Sequence, residues 1–100
     1  MKYVIKFTPQ ANKDIRNITT YIKTKLYAPL TAKRFLRGIY TKITELETTA
    51  DAYAISSYKE VLIYGKNARH INYKNFTIIY TIHNHIVLVH RMIHGTLIKK

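Results

Sequence analysis

One hundred residues suit a single domain, 1–100, with a small core, and a 47% apolar content excludes a disordered chain. The absence of cysteine excludes disulfides and thiolate metal sites, and no apolar run approaches the roughly 20 residues of a membrane span. Seventeen Lys and Arg against five Asp and Glu, net +12, point to a polyanionic or acidic partner. No signal peptide follows Met1-Lys2, so a cytoplasmic location is expected.

Tyr3 to Phe7 is a β-branched and aromatic run that predicts a first strand. Thr8-Pro9 is a helix start, with Thr as cap and Pro at the first helical position. Ala11, Ile15, Ile18, Ile22 and Leu26 recur at spacings of four and three, so an amphipathic helix is expected to run to about Tyr27. Lys13, Arg16, Asn17, Thr20 and Lys23 fall on its other side. Ala28-Pro29 breaks the pattern, and Pro29 opens a second helix with Ala32, Phe35, Ile39, Ile43 and Leu46 as its apolar stripe. The short connection implies an antiparallel pair. Gly38 costs this helix about 1 kcal/mol relative to alanine, and close helix packing is the expected reason for it. Thr48 to Tyr58 has no clear period and is expected to be a loop. Glu60 to Tyr64 reads as a short strand or a lead into Arg69, with Gly65-Lys66-Asn67 as a turn.

Arg69 to Gly95 has the pattern of a three-strand antiparallel meander, with tight turns at Lys74-Asn75 and His83-Asn84-His85. Phe76, Ile78, Tyr80 and Ile82 form one face; Thr77, Ile79 and Thr81 form the other, which is expected to be open. The tail from Thr96 to Lys100 is expected to fray. The fold class is α+β: an N-terminal strand, an antiparallel helical hairpin, then a C-terminal antiparallel meander. The expected result is one antiparallel sheet with the hairpin on one face.

Little in the chain supports catalysis on its own. No Asp or Glu follows Glu60, while all five histidines do. Arg69 is a candidate phosphate or acidic-protein contact, against a plain surface cation on a strand edge. Arg91 alternates with Val87, Val89 and Ile93, which predicts partial burial and pairing with one of the few acids. His94 is a candidate general acid, against a structural histidine at a strand end. His83-x-His85 reads as a polar turn rather than a metal site, and no metal or cofactor is expected. Tyr21 and Tyr80 are assigned to the core.

Taken together, certain residues resemble a known family. They are Phe7-Thr8-Pro9-x-Ala11-x-x-Asp14-Ile15-x-x-Ile18-x-x-Tyr21-Ile22, then Pro29-x-x-Ala32-x-x-Phe35, then Arg69-x-Ile71. Asn75-Phe76-x-Ile78-Ile79-Tyr80 and Val87-x-Val89-x-Arg91-x-x-His94-Gly95 complete the set. Over Tyr3 to Gly95 this order resembles the RelE/ParE toxins of bacterial type II toxin–antitoxin (plasmid stabilisation) modules. The resemblance implies the RelE/ParE-like fold, a small acidic antitoxin as partner, and either DNA gyrase or the ribosome with its mRNA as target. Members that cut mRNA carry arginine where this chain has Thr77, and some carry a second where it has Leu97. The resemblance therefore favours a ParE-like, gyrase-directed inhibitor without catalysis. The alternative is a RelE-like, metal-independent, ribosome-dependent mRNA endonuclease, with Lys66, Arg69 and His94 as its catalytic candidates; a basic nucleic-acid-binding module is the third reading. Lys66, Arg69, Lys74 and Arg91 are the expected target- or antitoxin-binding residues.

Overall fold

The computed structural model describes residues 2–98. Strand β1 (Val4–Phe7) leads through Thr8 into helix α1 (Pro9–Thr24). The Thr8 hydroxyl accepts from the Ala11 amide at 3.0 Å, capping the helix as its position before proline predicts. The second helix, α2 (Pro29–Thr44), packs beside α1. Ala28 gives it no side-chain cap, so its start rests on Pro29. Strands β2 (Arg69–Tyr73), β3 (Phe76–His83) and β4 (Ile86–His94) form the meander. Both predicted turns are tight two-residue connections, with Lys74 at φ 53° and Asn84 at φ 56°. Strand order is β1-β4-β3-β2. The sheet is not wholly antiparallel, because β1 runs parallel to β4 from Val4 opposite Ile86 to Phe7 opposite Val89. The hairpin provides the crossover that a parallel pairing requires.

The main core lies between hairpin and sheet. Ala11 and Ile15 of α1, and Phe35, Ile39 and Ile43 of α2, meet Ile71, Ile78, Tyr80, Val87, Val89 and Met92. Ile18 and Ile22 are only partly buried against this cluster, and the stripe ends there. Helix α1 stops at Thr24 rather than near Tyr27; Tyr27 sits at φ 51° in the connection, 89% exposed, and Leu26 is exposed too. Tyr21 is also exposed and belongs to no core, contrary to expectation.

The stretch expected to be a loop instead holds a helical turn, α3 (Leu46–Thr49), followed by a 3-10 turn at Ala50–Ala52. Leu46 and Ala50 drop into the core from it. Lys59–Leu62 is a second short helix, α4, and not a strand. Lys59, Glu60 and Leu62 are good helix formers, and Val61 is the buried residue of the turn, which needs an apolar neighbour. That neighbour is Ile79, on the face of the sheet expected to be open. Val61, Ala68 and Ile79 form a second small core there, flanked by Tyr58, Tyr64, Ile93 and Ile98. Thr77 and Thr81 are consequently buried, at 3% and 1% exposure. After β4, Gly95–Leu97 form a 3-10 turn; Lys99 and Lys100, the end of the tail expected to fray, lie outside the described residues.

Gly38 does serve close packing, though between helix and strand rather than helix and helix. A Cβ there would lie 1.8 Å from the Tyr73 hydroxyl oxygen, while the Tyr73 ring packs edge-on against Phe35. Gly38→Ala is thus expected to destabilise by about 1 kcal/mol despite the better helix propensity of alanine, because overpacking outweighs it. Urea unfolding would check this, and Gly38→Ala combined with Tyr73→Ala should be more stable than Tyr73→Ala alone.

Candidate functional site

A β-bulge organises the end of β4 nearest the helices. Tyr80 pairs with Val89 but Ile79 pairs with Arg91, so His90 is an extra residue on β4. The bulge reverses the alternation: Met92 joins Val87 and Val89 in the main core, and Ile93 turns to the second one. Arg91, which simple alternation would place with Val87 and Val89, is freed to meet α1. Its Nε donates to Asp14 Oδ2 at 2.7 Å and its Nη2 to Asp14 Oδ1 at 3.1 Å. Gln10 donates to Oδ1, and the Met92 amide donates to Oδ2 at 3.0 Å. Strand β1 has ended by this point, so the Asp14 carboxylate takes the place of a neighbouring strand for Met92. Pairing of Arg91 with an acid was expected; Asp14 as that acid was not. The signal was present, since Asp14 is the one acid of α1 and lies beside the stripe of Ala11, Ile15 and Ile18.

Burial pushes the Asp14 carboxyl up, but hydrogen bonds from Arg91, Gln10 and Met92 outweigh it and hold the group below its ordinary value. The same pairing raises Arg91. On the opposite face the Thr81 hydroxyl lies 2.7 Å from His83 Nε2 and 2.8 Å from His90 Nε2. Burial, with His83 nearby, lowers His90, and burial alone lowers His70. Among the described residues no three His, Cys, Asp or Glu side chains come together as a metal site.

Arg69 is half-buried on β2, opposite Tyr80. Its Nη1 donates to the Ala50 carbonyl at 3.3 Å, and Tyr80 Oη donates to the same oxygen at 2.7 Å. Burial raises the Tyr80 hydroxyl, against the lowering effect of Arg69. Arg69 therefore helps to hold the 3-10 turn to the sheet. His94 lies opposite Phe76, four residues along β3 and so about 13 Å from the Tyr80 pairing that Arg69 makes. Its ring engages Thr96 and packs on Phe76. Lys66 is exposed in the turn before β2; Lys74 is exposed between β2 and β3, its Nζ 5.9 Å from the Tyr73 ring centroid. The structure thus does not gather Arg69 and His94 into one catalytic set.

Sequence reasoning did not find the polar cleft around Thr77. Tyr58, His70, Asn72, Thr77, Gly95 and Ile98 line a cavity of about 240 Å³, in which the Thr77 hydroxyl donates to Asn72 Oδ1 at 3.0 Å. A neighbouring cleft of about 230 Å³ adds Lys74 and His94. The short helix and the C-terminal turn that wall this region lie in stretches with no readable period. Its chemistry is mostly neutral: hydroxyls, amides and a histidine, His70, whose burial favours the uncharged form.

Two outcomes follow from this geometry. Removing the carboxylate in Asp14→Ala leaves Arg91 and the Met92 amide unpaired and should cost about 3 kcal/mol in chemical denaturation. The pH dependence has two stages. His70 and His90, lowered in the fold from 6.5, contribute stability that is present above that value and is lost as pH falls through their folded values. Asp14, lowered from 3.8, contributes stability present above that value and lost at still lower pH. Denaturation midpoints should therefore fall first below about pH 6.5 and again below about pH 4, and Asp14→Ala should keep the first decline and lose most of the second.

No helix among the described residues is long and apolar enough to cross a membrane. No curated protein matches the sequence. The family model for the ParE toxin of type II toxin–antitoxin system, parDE, matches residues 5–96. Among solved structures, a chain of the chromosomal ParDE toxin–antitoxin system from P. aeruginosa superposes with a TM-score of 0.77 at 16% identity, over 93% of this chain and 96% of that one. That likeness shows the same fold, and the family match spans nearly every element described. The chain belongs to the ParE toxins of type II toxin–antitoxin systems, proteins that are each paired with an antitoxin.

Proposed function

We propose that this ParE-family toxin acts in the cytoplasm as a non-catalytic inhibitor of DNA gyrase, neutralised by a small acidic antitoxin. The carrying observation is Thr77. Metal-free RNA cleavage needs a cation beside the developing phosphate charge. Thr77 instead offers a neutral hydroxyl, 3% exposed and already bonded to Asn72. Leu97, the second position at which some nucleases of the family carry arginine, supplies no charge either. An electrostatic contribution of that kind is worth roughly 3–4 kcal/mol, or a hundredfold or more in rate. For the antitoxin, the net charge of +12 favours an acidic chain. Lys66 and Lys74 supply exposed cations for it, Arg91 keeps 31% of its side chain exposed, and Arg69 flanks the free edge of β2. An extended acidic segment can add to that edge.

Purified protein is expected to inhibit gyrase supercoiling of plasmid DNA and to leave ribosome-bound mRNA uncut above background. Thr77→Ala should lose about 1 kcal/mol of stability with its hydrogen bond yet keep its toxicity nearly unchanged. Ribosome-dependent mRNA cutting by the wild type would overturn the proposal, and its loss in Lys66→Ala, Arg69→Ala or His94→Ala would show which groups replace the missing arginines. Arg69→Ala should weaken toxicity or antitoxin capture, and should itself lower stability by about 1–2 kcal/mol through the lost Ala50 contact, so its effect must be compared at equal folded protein.

A further inference from the structure

The outer face of the helical hairpin has no role in the function proposed above. From Pro9 to Thr44 the chain carries eight Lys and Arg and a single acid, Asp14. That acid is buried and spent on Arg91, so it subtracts nothing from the surface. Opposite the buried stripe of α1 stand Lys13, Arg16 and Lys23; opposite that of α2 stand Lys33, Arg34 and Arg37. All six are exposed, and none forms an ion pair among the described residues. The two stripes cover the same side of the sheet, so the two cationic rows lie side by side and point away from it. Each helix of 16 residues is about 24 Å long, and packed helices lie about 8–10 Å apart. The result is a broad positive surface rather than a point charge.

We infer that this surface binds the phosphate backbone of a nucleic-acid duplex, without reading its sequence. Three observations choose that occupant. Exposed Asn12, Asn17 and Thr20 are interleaved with the cations, and amides and hydroxyls of this kind share phosphate contacts with Lys and Arg. Within the two helices the exposed large apolar groups are Tyr21, Leu30 and Tyr40, single side chains among six cations with Leu30 at the first turn of α2, so the face has neither the contiguous apolar centre of a protein interface nor a stacking platform for single strands. The charge is spread along about 15 Å of α1, from Lys13 to Lys23, which spans about four phosphates of one duplex strand, with the α2 cations beside it. Binding here is independent of whether gyrase is the target; it would hold the toxin on the chromosome or on folded RNA.

The test is fluorescence anisotropy of the whole protein with labelled 20-base-pair DNA and RNA duplexes of arbitrary sequence, across 50–200 mM salt. Affinity is expected to fall with salt by about 0.9 logarithmic units per phosphate contacted, per decade of salt. Lys13→Gln/Arg16→Gln/Lys23→Gln, and separately Lys33→Gln/Arg34→Gln/Arg37→Gln, should each weaken binding tenfold or more and flatten the salt slope by about two to three contacts. Lys2→Gln/Lys6→Gln/Lys59→Gln removes the same charge elsewhere and should change affinity less than twofold. Lys13→Arg/Lys23→Arg should retain binding, and circular dichroism melting checks that each variant is folded. Preference for either duplex supports the inference and identifies the backbone that the face fits. Equal weakening by the control triple would reduce the effect to net charge and overturn it. So would single strands or heparin binding as tightly as the duplexes. Hairpin variants that lose antitoxin capture while keeping duplex affinity would likewise assign the face to an acidic protein.

Discussion

The structure depends on one carboxylate. Strand β1 is four residues long and ends at Phe7, whereas β4 continues to His94. Beyond Phe7 the outer edge of β4 has no strand beside it, and its Met92 amide is buried. An unpaired buried amide costs about 1–3 kcal/mol. Asp14 satisfies it from one turn into α1, while the Thr8 hydroxyl donates to the His90 carbonyl at 2.9 Å. The helix thus completes the sheet edge that the strand leaves open. Arg91 neutralises the charge this brings inside, so pair and amide form one unit that fixes the angle at which α1 leaves the sheet.

The bulge at His90 makes that unit possible. Without the extra residue, alternation from Val87 and Val89 would drive Arg91 into the main core, where its charge would meet Ile15 and Ile78 with no partner. With it, Met92 fills the core and Ile93 turns to the second cluster. The same shift adds Ile93 to the cluster that Ile79, Val61 and Ile98 form on the far face. One inserted residue therefore explains both the internal ion pair and the place of Ile93 in the second small core, the core on the face that holds Thr77.

Much of this was legible from the chain. Thr8-Pro9 and Pro29 marked both helix starts, the stripes of Ala11/Ile15 and Phe35/Ile39/Ile43 named the core, and the two polar dipeptides set the turns. Those signals are local, and local rules read them. What escaped was set by tertiary geometry. A bulge has no residue signature when neither position is glycine, so Ile93 was grouped with Val87. Ala50 is a single small residue whose carbonyl matters more than its side chain. Helix α4 is one turn long, too short for a period to show. Tyr21 fits the motif of its helix yet points past the edge of the sheet into solvent. The candidate site was the less legible half, since its cleft is walled by these short, aperiodic pieces.

The pairing of β1 with β4 also governs when the protein can exist. Val4 meets Ile86 across almost the whole length of the chain, and Thr8 reaches His90. During synthesis the first strand and the Asp14 carboxylate have no partner until the last strand leaves the ribosome. Contacts this distant in sequence are slow to close, because chain entropy is lost before they form. A chain truncated before β4 has no edge for β1, no Arg91 for Asp14, and lacks Val87, Val89 and Met92 from its core. The fold is therefore completed late and nearly all at once, because the sheet edge and the ion pair that the first strand and helix need are both supplied by β4.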